Sequence, residues 1–180
     1  YTNSVEWGPE SAGSQIRYVR EVAQAYRFTP WGRMVFASAA RVGVAAALGG
    51  QELIPSVRFF AGGMRTVRAV ADDGLGPRDF LGDPTGGEAM LVLNQEVRVP
   101  VTTHVRGVGF VDAGNVFPHL GDVRIGGLTG AVGGGLRIAT PFALLRVDYA
   151  HVAWGSGRVL PDSEGRRALG RWTFGIGHAF

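Results

Sequence analysis

The 180-residue chain reads as all-β, an antiparallel barrel built to cross a membrane. Three observations predict this. Apolar and polar residues alternate with period two over segments of roughly 10–15 residues, longer than the 5–6 of ordinary globular strands and enough for the 9–11 that a tilted membrane strand needs. The connections are either very short or very long, as in a barrel with tight turns on one rim and loops on the other. Apolar residues make up 46% and charged residues 18%, below the roughly 25% charge of a soluble domain. Lipid offers no hydrogen bonds, so strands of this kind must pair with one another.

The elements follow in order. An opening strand fits residues 1–8. Next, Ile16, Tyr18, Val22, Tyr26 and Phe28 oppose Gln15, Arg17, Glu21 and Arg27. The turn Thr29-Pro30-Trp31-Gly32 leads into a strand over 33–46. In 88–99, Ala89, Leu91, Leu93, Val97 and Val99 oppose Glu88, Asn94, Glu96 and Arg98. In 103–113, Val105 and Val111 oppose His104, Arg106 and Asp112, with Val108 and Phe110 on the polar side. In 127–138, Leu128, Val132, Leu136 and Ile138 oppose Thr129, Gly133 and Arg137. In 142–153, Leu145, Val147, Tyr149 and His151 oppose Leu144, Arg146 and Asp148. The last ten residues alternate best: Trp172, Phe174, Ile176, His178 and Phe180 against Arg171, Thr173, Gly175, Gly177 and Ala179. Seven or eight strands result, with long connections at 47–87 and 154–169. The 29 glycines suit the twist, bulges and close approaches of a barrel wall.

Composition excludes several chemistries. There is no cysteine, so disulfide scaffolds, thiolate metal sites and cysteine nucleophiles are out. All 18 basic residues are arginine, which removes a P-loop lysine and Schiff-base chemistry. The arginines are spread singly and the net charge is only +3, so no nucleic-acid patch is expected. A zinc site needs closely spaced ligands, and His104, His119, His151 and His178 lie far apart. Asp72, Asp73, Asp79 and Asp83 lack calcium-loop spacing. Ser38, Ser56, Ser156 and Ser163 sit in no nucleophile elbow, so neither catalysis nor a metal or other cofactor is expected.

Five motifs then stand in order. They are Arg58-Phe59-Phe60-Ala61-Gly62-Gly63 with Thr66-Val67-Arg68-Ala69-Val70; Gly86-Gly87-Glu88; Gly109-Phe110-Val111-Asp112-Ala113-Gly114-Asn115-Val116-Phe117; Gly133-Gly134-Gly135-Leu136-Arg137-Ile138-Ala139-Thr140-Pro141; and Leu145-Arg146-Val147-Asp148-Tyr149-Ala150. With the terminal phenylalanine they resemble the C-terminal half of the BamA/TamA superfamily (the bacterial surface antigen family) of outer-membrane assembly and translocation barrels. The sequence departs from that pattern at Ala69, where the loop motif has glycine, at Val70, where it has an aromatic, and at His178.

The resemblance implies that residues 1–180 are the C-terminal part of one sixteen-stranded barrel in the bacterial outer membrane. It implies that the 47–87 loop folds toward the lumen, where Arg68 would meet Asp112. Alternation agrees in placing Asp112 on the polar, inward face. An arginine gives a carboxylate two parallel hydrogen bonds. The raw attraction, about 4 kcal/mol at ~4 Å and an effective dielectric of 20, is largely offset by desolvation, so such a pair positions the loop more than it stabilises it. Arg137, Arg146 and Asp148 read as an inward charge network. Thr173, Gly175, His178 and Phe180 resemble the C-terminal signal of outer-membrane barrels, whose strand offers an edge for β-augmentation.

The function implied is insertion or translocation of β-rich proteins through a lateral seam, with no catalytic residue. The partners implied are the lipid bilayer, unfolded outer-membrane or secreted substrates, and periplasmic or lipoprotein accessory proteins. The alternatives are a stand-alone structural or passive-pore barrel, since eight strands suffice for closure, and a soluble β-sandwich, whose strands would be shorter.

Overall fold

The computed structural model describes residues 2–8, 17–155 and 170–177. Eight strands follow in chain order: β1 (Thr2–Gly8), β2 (Arg17–Trp31), β3 (Met34–Leu48), β4 (Ala89–Pro100), β5 (Val105–Phe117), β6 (Thr129–Ala139), β7 (Leu144–Trp154) and β8 (Gly170–Ile176). They form one sheet in the order β1 to β8, each strand antiparallel to its neighbours. The sheet is open. Among the described residues β1 pairs only with β2, and β8 only with β7.

Short turns gather on one rim. The β2–β3 hairpin has a two-residue loop, with Trp31 opposite Met34. Gly32 takes φ 59° while Arg33 keeps a negative φ, which fits a turn that demands glycine at its first central position. In the β4–β5 turn the Thr102 hydroxyl accepts the N–H groups of His104 and Val105. In the β6–β7 turn the Thr140 hydroxyl donates to the Ala143 carbonyl and accepts its N–H. The opposite rim carries the long connections, 49–88 and 118–128 among them. Strand β5 runs four residues past the sequence expectation, because Gly114 to Phe117 continue the ladder opposite Val92 to Ala89 of β4, and the Asn115 side chain donates to the Gly127 carbonyl at 2.7 Å.

The 49–88 loop lies against one face of the sheet, the inner face. Its Leu53, Val57, Phe59, Val67, Val70 and Leu75 are buried with Met90, Val92, Val108, Phe110 and Val116 from the strands. Val108 and Phe110, which blurred the alternation of their strand, are therefore core residues under the loop. Gly43 makes room for one of these contacts: a Cβ there would stand 2.6 Å from the Phe59 ring. The outer face is apolar and exposed at Val42, Leu93, Val111, Val132, Leu136, Tyr149, Trp172 and Phe174, as a wall facing lipid requires.

Strand β2 shows which of its two mixed faces turns inward. Tyr18, Val22 and Tyr26 are half-buried on the inner side with Arg20 and Gln24, while Arg17, Glu21 and Arg27 are exposed on the outer side. Register decides this. Gln24 stands opposite Arg41, whose Nε donates to it at 3.1 Å, and Val22 stands opposite Gly43 beneath Phe59.

Candidate functional site

Under the loop lies a cluster of buried charge drawn from β4, β5, β6, β7 and the loop itself. Each strand contributes by alternation: Asn94, Glu96 and Arg98 from β4, Asp112 from β5, Arg137 from β6, Arg146 and Asp148 from β7. Glu96, Asp112 and Asp148 are fully buried. Antiparallel registers bring them side by side: Asn94 faces Asp112, Arg137 faces Arg146, and Asp148 faces Thr173 of β8.

Arg68 enters from the loop. Its Nε and Nη2 donate to the two carboxylate oxygens of Asp112, both at 2.7 Å, and its backbone N–H donates to Asp112 Oδ2 at 3.2 Å. Its Nη1 donates to Glu96 Oε1 at 2.6 Å and lies 3.5 Å from Asp148. The guanidinium carbon sits 3.4 Å above the centre of the Phe110 ring, a cation–π contact made in a dry site. Burial by itself works against the charge on Arg68. Hydrogen bonds and attraction from Asp112 and Glu96 outweigh it and hold the guanidinium more firmly protonated than usual.

The remaining members close the network. Asn94 Nδ2 donates both to Asp112 Oδ1 and to the Thr66 carbonyl, tying the carboxylate to the loop backbone. Arg98 donates to Glu96 Oε2 at 2.9 Å. Arg137 reaches both oxygens of Asp148 through a short Nη1 contact to Oδ1 and an Nη2 contact at 3.2 Å, and also donates to Glu96. Arg146 Nε lies 3.7 Å from Asp148. Four guanidinium groups thus share three carboxylates. Buried charges survive in this way only when paired and hydrogen-bonded.

The tip of the loop turns at 67–70, with the Val70 N–H bonded to the Val67 carbonyl at 3.0 Å. Ala69 is buried and has no positive φ, so the turn is made without the glycine of the resembling motif.

Glu96 is the residue that sequence reasoning did not single out. It stood on the polar face of its strand beside Arg98, which was the signal. Its three guanidinium partners come from the loop, its own strand and β6. Thr173 is buried on the inner face of β8, and Gly175 faces Arg146. His178 and Phe180 lie outside the described residues. Of the loop aspartates, Asp79 accepts the N–H groups of Leu81 and Asp83, and Asp72 pairs with Arg171 at 3.4 Å.

Comparison with known proteins bears on this arrangement. The crystal structure of BamA from Haemophilus ducreyi lacking POTRA domains 1–3 superposes with a TM-score of 0.65 at 18% sequence identity, over 90% of this chain and 35% of that chain. The chain thus spans about a third of that structure's length, and the likeness is one of fold. The profile of the Omp85 superfamily domain matches residues 3–180. The chain belongs to the Omp85 superfamily, a family of bacterial outer-membrane β-barrels.

Proposed function

We propose that this chain is the C-terminal part of a larger barrel that inserts or translocates β-rich proteins, and that its open edge at β8 is one side of the seam where a substrate strand pairs. The observation that carries the reading is the edge itself. Strand β8 has seven residues, bonds to β7 on one side and has no strand on the other among the described residues. Such an edge has a row of unpaired backbone groups, which lipid penalises and which an incoming strand satisfies. The stand-alone eight-stranded barrel would need β1 and β8 to pair, and an open sheet lends it no support.

In this reading Arg68 and Asp112 lock the loop to the inner wall, and Glu96, Arg137 and Asp148 hold the lock in place. The wall stays rigid while the edge exchanges partners. Unfolded outer-membrane or secreted proteins are the substrates, the bilayer is the solvent, and periplasmic or lipoprotein accessory proteins are the expected helpers.

The test is a seam locked by a disulfide in the full-length protein. Residues 1–180 contain no cysteine, so Phe174→Cys is the one thiol of this part of the protein and is paired with a cysteine placed on the facing strand. Oxidation is expected to stop assembly of a newly made barrel substrate, and reductant to restore it. Full activity with the seam locked would sink the reading.

A further inference from the structure

Arg146 is the arginine of the charge cluster that makes no hydrogen bond to a carboxylate among the described residues. Its side chain is 3% exposed, yet Nε and Nη1 have no hydrogen-bond partner among the described residues. Its polar neighbours are the Met64 carbonyl, 3.5 Å from Nη2, and Asp148, 3.7 Å from Nε and already held by Arg137. The Thr173 hydroxyl, buried on the adjacent strand, also has no hydrogen-bond partner among the described residues. Buried polar groups of this kind are normally bonded.

Direction matters as much as vacancy of bonds. Arg146 faces Gly175 on β8, and a Cβ on Gly175 would stand 3.3 Å from Arg146 Nη2. The guanidinium shares this place over Gly175 with the Met64 side chain, whose Sδ would stand 2.7 Å from the same Cβ, and beyond Gly175, among the described residues, is the open edge. A strand pairing there lies about 4.8 Å further on, within reach of an arginine meeting an acidic side chain.

We propose that Arg146 and Thr173 form the receiving half of a carboxylate site on the inner side of the seam, filled by an aspartate or glutamate of the strand that pairs with β8 over Gly175. Arg146 donates through Nη1 and Thr173 through its hydroxyl. The site sets the register of that pairing, because a slip of one residue turns the carboxylate to the lipid side. The inference rests on β8 being a pairing edge, as proposed above, and does not need the seam to open during transport.

The experiment uses the full-length protein in phosphatidylethanolamine/phosphatidylglycerol nanodiscs with Phe174→p-benzoylphenylalanine as a photo-crosslinker on β8. The probes are two ten-residue alternating peptides that differ only by glutamate or glutamine at the inward position facing Gly175. The glutamate peptide is expected to crosslink roughly ten-fold more. That preference is expected to vanish in Arg146→Gln and to shrink in Thr173→Val, a change of the same size that keeps the strand. Equal crosslinking of both peptides in the unsubstituted protein, or a preference that survives Arg146→Gln, overturns the site and leaves the seam reading standing. No crosslinking of either peptide overturns both. Thermal melting without peptide separates two sources of the carboxylate. A lower midpoint in Arg146→Gln assigns it to the barrel's own facing strand, and an unchanged midpoint, with the peptide preference seen only in the unsubstituted protein, assigns it to the incoming strand.

Discussion

Three N–H groups of Arg68, one from the backbone and two from the guanidinium, converge on the single carboxylate of Asp112. The contact joins a loop residue to the inner face of β5 across 44 positions of sequence. Its geometry is two-sided: the fork fixes the plane of the guanidinium, and the backbone bond fixes where the loop tip stands. The Phe110 ring beneath the guanidinium carbon completes the seat.

Removing the fork should free the loop. Arg68→Ala leaves Asp112 and Glu96 buried beside one cation fewer, a change that typically costs about 3–5 kcal/mol for a buried pair. Cleavage of residues 61–85 by proteinase K in the full-length, membrane-embedded protein is expected to accelerate at least ten-fold. Arg68→Lys is expected to rescue little, because an ammonium cannot make the fork. An unchanged cleavage rate in Arg68→Ala would refute the lock.

Glu96 should matter about as much as Asp112. Glu96→Gln leaves Arg68, Arg98 and Arg137 around an uncharged amide, and Asp112→Asn halves the fork. Each is expected to lower stability by roughly 2–4 kcal/mol. Urea unfolding in lipid vesicles measures both, and the double variant should fall short of the sum because the two acids share Arg68. Strict additivity would contradict a shared network.

The Gly43 seat predicts a repairable defect. Gly43→Ala puts a methyl against the Phe59 ring, where a Cβ has only 2.6 Å. A loss of about 1–3 kcal/mol is expected from overpacking. Gly43→Ala with Phe59→Leu should recover more than half of it in the same unfolding assay. If the second substitution deepens the loss, the Phe59 contact is not the cause.

Substitutions on the two faces of β8 should answer differently to bilayer thickness. Phe174 is exposed on the outer face and Thr173 is buried on the inner face. Phe174→Arg is expected to cost up to about 2–4 kcal/mol of folding free energy into vesicles, depending on its depth in the bilayer. The cost should fall in thinner bilayers, where the arginine reaches the interface. Thr173→Val should show no such dependence on thickness. Equal sensitivity of both sites would mean that the faces are misassigned.

The sequence alone determined that this protein is a chain of long antiparallel strands with one apolar face. Period-two alternation is a local property, read within each strand, and it needs no partner to be seen. It placed Asp112, Arg137, Arg146 and Asp148 on polar strand faces, and the motifs of the loop and β5 marked Arg68 and Asp112 for each other. Three things were decided only by tertiary structure. Glu96 became the hub of three arginines because the β4–β5 and β5–β6 registers set it across Phe110 from Gly133, four residues along β6 from Arg137, whose long side chain reaches back to it, while the loop brings Arg68 onto the same carboxylate. Val108 and Phe110 proved to be core residues because the loop covers them, and a loop's resting place depends on contacts far along the chain. Strand β2, mixed on both faces, acquired its inside from its neighbour: Arg41 and Gly43 on β3 offer Gln24 a hydrogen bond and Val22 a place beneath Phe59. Alternation says that two faces differ, and only packing against a third element says which of them is buried.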